Sequence, residues 1–135
     1  MEIFAAYHLT GVALGTAGAL LLLQLLVADI AGMKVPHIPG APIEPDHNNF
    51  LFRAHRSLAN MNESVAIFII FALVGILSAA DGLWLGRLSL VYVAARAAYM
   101  LCYWFNIKLM RSAFFGISLV ALLGMGWVMM RGLMG

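Results

Sequence analysis

Four apolar runs, Leu9 to Ala28, Val65 to Ala80, Leu83 to Phe105 and Ser112 to Met130, occupy most of this 135-residue sequence. Each approaches the ~20 residues that a helix needs to cross a ~30 Å hydrocarbon core. Hydrophobic residues make up 64% of the chain and charged residues only 10%, which lies outside ordinary globular usage on both counts. The sequence therefore predicts an all-α integral membrane protein with four transmembrane helices and one domain over residues 1–135. With their flanks, the predicted spans cover residues 5–32, 48–79, 83–107 and 112–133, with a proline-rich connector over 34–47.

The first run could be mistaken for a secretory signal, but Glu2 stands where a signal places lysine or arginine, so it is read as a mature helix. The net charge of +2 and pI near 9.0 come from few residues. No basic cluster is interleaved with aromatics on a soluble face, so nucleic acid is not an expected partner. Cys102 is the lone cysteine and lies inside the third span, which excludes a disulfide framework and predicts a buried structural thiol.

All four prolines fall in "VPHIPGAPIEP", at Pro36, Pro39, Pro42 and Pro45. Their spacing of three matches polyproline II and predicts an extended, stiff first connector. "ADGL" and "NIKLMR" leave little room between the later spans, which must run antiparallel as a four-helix bundle. Lys34, Arg53, Arg56, Lys108 and Arg111 gather at the first and third connectors, whereas Arg87 and Arg131 oppose Glu2 and Asp81 at the other end. By the positive-inside rule the former end is cytoplasmic, in a bacterial-type inner membrane or one like the endoplasmic reticulum. Gly11, Gly15 and Ala19 in the first span, and Gly116, Gly124 and Gly126 in the fourth, predict close helix approach within the chain or between copies. The nine methionines read as adaptable bundle packing.

Polar residues enter the apolar spans in two stripes. At 100° per residue, Arg53, Arg56, Asn60 and Glu63 fall within an arc of roughly 80°, and Tyr92, Arg96, Tyr99 and Tyr103 within about 60°. Arg96 sits on the order of 15 Å along its helix from Asn106, near mid-membrane. Charges at that depth cost about 2.5–3.5 kcal/mol on the insertion scale and so face the bundle interior and pair, or mark a functional path. Counting back from the shared end of two antiparallel helices predicts a Glu63–Arg96 pair. That pair could be only an internal staple. Against this stands the excess of cation, since Arg53, Arg56, Arg96 and Arg111, with Lys34 and Lys108 nearby, outnumber Glu63. A pocket so charged suits the carboxylates of a small polar ligand, which guanidinium forks bind in bidentate fashion.

Other polar residues carry less. His37, His47 and His55, with Asp46, match no metal spacing, so no metal site is expected. His8 reads as interfacial. "NES" at Asn62 to Ser64 fits a glycosylation acceptor formally but lies within a helix entering the bilayer.

"RSLANMNE" resembles a motif of the membrane-associated proteins in eicosanoid and glutathione metabolism, the MAPEG family. Arg56, Asn60 and Glu63 stand in that family's order, with Phe68 five residues beyond. "RAAYMLCYWFNIKLMRS" is similar to a second block, through Arg96, Tyr99, Tyr103 and the Arg111–Ser112 pair. The resemblance implies a homotrimer binding glutathione, as co-substrate, between subunits near the cytoplasmic side, with lipophilic molecules arriving from the membrane lipid. By that likeness Arg56, Asn60, Glu63, Arg96, Tyr99 and Tyr103 hold the tripeptide, and the excess of cation adds Arg53 and Lys34 as further binding candidates. Arg111 stabilises its thiolate and Ser112 assists. Ile67 stands where many members carry proline, and the first span lacks an arginine found in some, for which Lys34 is the substitute.

The function so implied is a membrane-bound glutathione S-transferase acting on lipophilic electrophiles, with glutathione-dependent peroxidase activity as a further option. Two alternatives stay open. One is a small four-span proton-coupled exporter using Glu63; the other is a catalytically silent membrane scaffold.

Overall fold

The computed structural model describes residues 2–135. A short helix α1 (Glu2–Ala6) passes through Tyr7 into α2 (His8–Lys34), followed by α3 (Phe50–Leu77), α4 (Gly82–Trp104) and α5 (Lys108–Met134). The last four span 27, 28, 23 and 27 residues and are long and apolar enough to cross a membrane. At 1.5 Å per residue they measure about 35–42 Å. The chain is an integral, multi-pass, all-helical membrane protein.

Local chemistry sets the helix ends. The Asn49 side chain accepts the Leu51 N–H, and Asp81 accepts those of Leu83 and Trp84, each at 3.0 Å, occupying donors that the first helical turn leaves free. At the far ends of α3 and α4 the backbone turns through Ala79 (φ +52°) and Asn106 (φ +56°). There the Ala80 N–H reaches the Gly75 carbonyl at 3.0 Å and the Ile107 N–H reaches Cys102 at 2.7 Å, the closing bonds of a left-handed C-cap. These tight reversals make α3, α4 and α5 antiparallel neighbours.

Two boundaries differ from expectation. The fourth helix begins at Lys108 rather than 112, because the Asn106 turn reverses the chain within three residues, 105–107. Lys108 and Arg111 therefore lie in its first turn. The proline-rich connector is non-helical, but Gly40 adopts φ +81° and the Ala41 N–H bonds the Ile38 carbonyl at 3.0 Å. A turn interrupts what the proline spacing predicts as one extended rod.

α3 and α4 form the middle of the bundle. α2 packs on both, and α5 packs on both. The most apolar stretch of α4 is accordingly 56% buried, against 22% for those of α2 and α5, so the flanking helices turn most of their surface outward. At the centre the Phe68 and Tyr92 rings stack at 4.5 Å, with the Tyr92 hydroxyl 2.8 Å from that of Ser64. Between α2 and α3, buried Gln24 accepts a hydrogen bond from Ser57 at 2.7 Å and donates to the Met61 sulfur at 3.0 Å. Cys102 is buried, as its position predicts.

The small residues divide in use. A Cβ at Gly124 would lie 3.0 Å from Leu88, and one at Gly126 3.1 Å from Phe71, so close approach explains both. Nothing in the protomer lies within 4 Å of such an atom at Gly11, Gly15 or Gly116.

Candidate functional site

A cavity of about 400 Å³ opens at the end of the bundle carrying the first and third connectors, lined by His47, Asn60, Tyr99, Tyr103, Lys108, Arg111, Ser112 and Phe115. That volume lies in the range of small-molecule sites. α5 supplies Lys108, Arg111, Ser112 and Phe115, positions i, i+3, i+4 and i+7 of one helical face. α4 supplies Tyr99 and Tyr103 from the stripe read in the sequence, and α3 supplies Asn60 from roughly 15 Å inside its start. The inner wall thus reaches well into the span.

Behind Asn60 and Tyr99 lies Arg96, 2% exposed. Its Nη1 donates to the Asn60 Oδ1, and its guanidinium carbon sits 5.7, 5.4 and 5.5 Å from the ring centres of Tyr92, Tyr99 and Phe115. Ring faces carry partial negative charge, so this cage favours a cation. It supplies no full counter-charge, and the Arg96 Nε is buried without a partner. Among the described residues the one ion pair is Arg56 with Glu63, at 3.5 Å.

The expected Glu63–Arg96 pair is therefore not made. Both residues are at the depth that counting predicts, but Asn60 occupies the α3 position facing Arg96, and Glu63 lies about 60° around the helix from it. Its side chain is 60% exposed and that of Arg56 44% exposed, on the outer face of α3. The stripe counted as one splits into an inward half, Arg53 and Asn60, and an outward half, Arg56 and Glu63.

The remaining cations take different places. Arg111 lies with its guanidinium carbon 4.5 Å from the centre of the Tyr103 ring and Nη1 3.4 Å from the His47 Nδ1. Arg53 donates to the His47 carbonyl at 2.7 Å and the Trp104 carbonyl at 3.4 Å, bracing backbone rather than lining the cavity. Lys34 is exposed in the last turn of α2, a placement the helix dipole favours, and is not among the lining residues of this protomer.

From the sequence Phe115 is not assigned to the site, His47 is weighed only as a metal ligand, and Lys108 counts as a nearby cation without a place on the cavity wall. Lys108 and Phe115 carried a legible signal, the helical spacing from Arg111 and Ser112, which was hidden once the helix was started at 112. For His47 no spacing signal existed, because its connector is placed by tertiary bonds. Among the described residues no cluster of three metal-ligating side chains forms.

The fold and site together define a class: a four-helix transmembrane bundle with a cationic, aromatic-walled pocket at one end. The particular kind follows from its sequence: the MAPEG family model matches residues 9–131, so the chain belongs to the MAPEG family, the membrane proteins of glutathione transfer and eicosanoid metabolism. Comparison with curated proteins and with solved structures gave no match.

Proposed function

We propose that this protein is a membrane-bound glutathione S-transferase that holds glutathione in the connector-end cavity and activates its thiol for attack on lipophilic electrophiles. The observation that carries this reading is Arg96, a buried arginine that makes no ion pair among the described residues and donates its hydrogen bond to a neutral amide. A buried charge without counter-charge is costly, and a carboxylate ligand beside Asn60 would offset that cost. Lys108 and Arg111 extend the argument. They occupy the first turn of α5, where Ile107 provides no side-chain cap and no acidic residue stands. Free N–H groups and the positive end of the helix dipole already favour an anion there, and two cations strengthen the preference.

Within this arrangement Asn60 and Arg96 orient one carboxylate and Tyr99 and Tyr103 supply hydroxyls. Arg111, held over the Tyr103 ring, lies where a thiol would be stabilised as thiolate. A neighbouring cation favours the ionised form, which is the nucleophile. The thiolate sulfur then bonds the electrophilic carbon, and the leaving group departs with the displaced electron pair. Ser112 is next to Arg111 on the cavity wall and can donate a hydrogen bond to the same sulfur.

We further infer a homotrimer in which a neighbouring copy covers the outward face of α3. Glu63 and Arg56 lie there, well inside a 28-residue membrane helix and substantially exposed. Lipid is a poor solvent for both. A partner surface would give Arg56 and Glu63 access to a ligand bound between subunits and could bring Lys34 near one. The exporter reading requires a titrating carboxylate on an internal aqueous path, whereas Glu63 points out of the bundle and away from the cavity.

The deciding experiment is an ultraviolet difference spectrum of the detergent-solubilised protein on adding glutathione, repeated with Arg111→Ala. A thiolate band at neutral pH that is lost in the variant, with calorimetric binding retained, supports the transferase. Absence of both band and binding heat in the parent removes it.

A further inference from the structure

Arg53 is among the cations that the charge pattern of the sequence sets against a ligand, yet its guanidinium is spent on backbone. It bonds the carbonyls of His47 and Trp104 at 2.7 and 3.4 Å, while its face lies 5.5 Å from the Phe50 ring centre. One side chain on α3 thereby ties the end of the first connector to the end of α4, whose last carbonyls have no partner within the helix. What this clamp places is His47. The imidazole meets Phe52 edge-on, with centroids 5.2 Å apart at 87°, and sits 6.5 Å from the Tyr103 ring. Its Nδ1 is then 3.4 Å from the Arg111 Nη1. Arg111 makes no ion pair among the described residues, so its orientation depends on the Tyr103 face and the His47 nitrogen.

We infer that His47 is a positioning residue for Arg111, and that glutathione thiolate forms in this cavity only while the His47 imidazole is neutral. The inference rests on the glutathione reading above. Its chemistry follows from the donor inventory. A guanidinium has donors and no acceptor, so the His47 Nδ1 must accept, which places the proton of the neutral ring on Nε2. Protonation turns Nδ1 into a donor, removes the contact and sets a second positive charge beside Arg111.

The groups around the ring make that switch one-sided. Arg111 of α5 and Tyr103 of α4 meet the ring, Lys108 and Tyr99 share its cavity, and Arg53 holds its own carbonyl from α3. Asp46, adjacent in the connector, accepts the Asn48 N–H at 2.9 Å. Imidazoles change charge between about pH 5 and 8. Rising pH thus seats Arg111 and ionises the thiol in the same direction, and the thiolate should appear with two proton losses rather than one.

The test follows the thiolate absorbance of the full-length protein with glutathione from pH 5 to 9, for the parent, His47→Phe and His47→Asn. Phenylalanine keeps the packing on Phe52 and Tyr103 but offers no acceptor. Asparagine offers an acceptor that does not titrate. The expected result is a band about tenfold or more weaker at neutral pH in H47F, the effect of losing one hydrogen bond to a charged group, with calorimetric binding kept. H47N should keep the band, its acid limb falling from two protons to one. A band in H47F equal to the parent's in size and steepness overturns the inference while leaving the glutathione reading intact. No band and no binding heat in the parent overturns both. Should H47F fail to assemble, H47N decides alone, because an unchanged two-proton limb would refute a role for the imidazole.

Discussion

The Arg96 guanidinium donates to the Asn60 side-chain carbonyl, so a cation that is 2% exposed meets a neutral amide and, among the described residues, no carboxylate. An acid in that position would compensate the arginine permanently and leave the site with less need for an anion. Asn60→Asp is therefore expected to raise the thermal stability of the ligand-free protein while weakening glutathione binding by about tenfold, the two effects moving in opposite directions because one charge serves both. Asn60→Ala is expected to lower both, since it strands a buried charge at a cost of about 3 kcal/mol or more. Thermal unfolding in detergent and calorimetric titration of the two variants check the pattern. A fall in ligand-free stability for Asn60→Asp would mean that Arg96 has a counter-charge elsewhere.

Tyr103 combines two roles that substitution can separate. Its ring face carries Arg111 at 4.5 Å, and the residue lines the cavity. Tyr103→Phe keeps the face and removes the hydroxyl, so glutathione affinity should drop about fivefold, one hydrogen bond's worth, while the bound ligand still shows its thiolate band. Tyr103→Leu removes the face as well, and a desolvated guanidinium–ring contact of about 1–2 kcal/mol goes with it. The band should then weaken about tenfold further. Binding and absorbance measured on the same samples distinguish the two losses.

The spans and the bundle were legible because hydrophobicity over ~20 residues admits few other folds. The α4 stripe was legible for a related reason: Tyr92, Arg96, Tyr99 and Tyr103 share a face, and all four are buried. Pairing was not legible. Asn60 and Glu63 differ by about 60° on the helix, and which of them meets Arg96 depends on how α3 is rotated in the bundle, a tertiary property. Likewise the cavity wall of α5 could not be read while its first turn was assigned to a loop, and the turn that corrects it depends on Asn106 tolerating φ +56°. His47 was least accessible, because its partner Arg111 stands 64 positions away in sequence and only the folded bundle brings the two together.

Ala79 holds the same left-handed conformation as Asn106, at φ +52°, but without asparagine's tolerance for it. Ala79→Gly relieves the Cβ clash and is expected to stabilise the fold by about 0.5–1 kcal/mol, a rise in melting temperature of about 2–4 °C. Ala79 lies at the end opposite the cavity, so glutathione binding should not change. The reverse experiment is Gly132→Ala beside it. Its Cβ would lie 2.9 Å from the Ala80 backbone and 2.7 Å from the Ser78 hydroxyl, and overpacking against backbone should cost about 1–3 kcal/mol. Equal melting temperatures for the parent and both variants would show that this turn does not limit stability.

Glu63 and Arg56 lie on the outward face of α3, their side chains 60% and 44% exposed in the single protomer. Glu63, at the middle of α3, carries about 2.5–3.5 kcal/mol of insertion cost, which its pair with Arg56 nearer the helix start offsets only in part at 3.5 Å. A neighbouring copy could satisfy the remaining lone pairs and N–H groups, and the uncovered Gly11 and Gly15 of α2 would allow its helices to approach closely. Glu63→Leu is accordingly expected to leave helix content by circular dichroism unchanged while shifting the native mass from three copies toward one. Glutathione binding should fall in parallel if, as proposed, the ligand lies between subunits. If Glu63→Leu retained the trimer mass and lost binding, the carboxylate would be a ligand contact only, and the subunit boundary would run over a different face of the bundle.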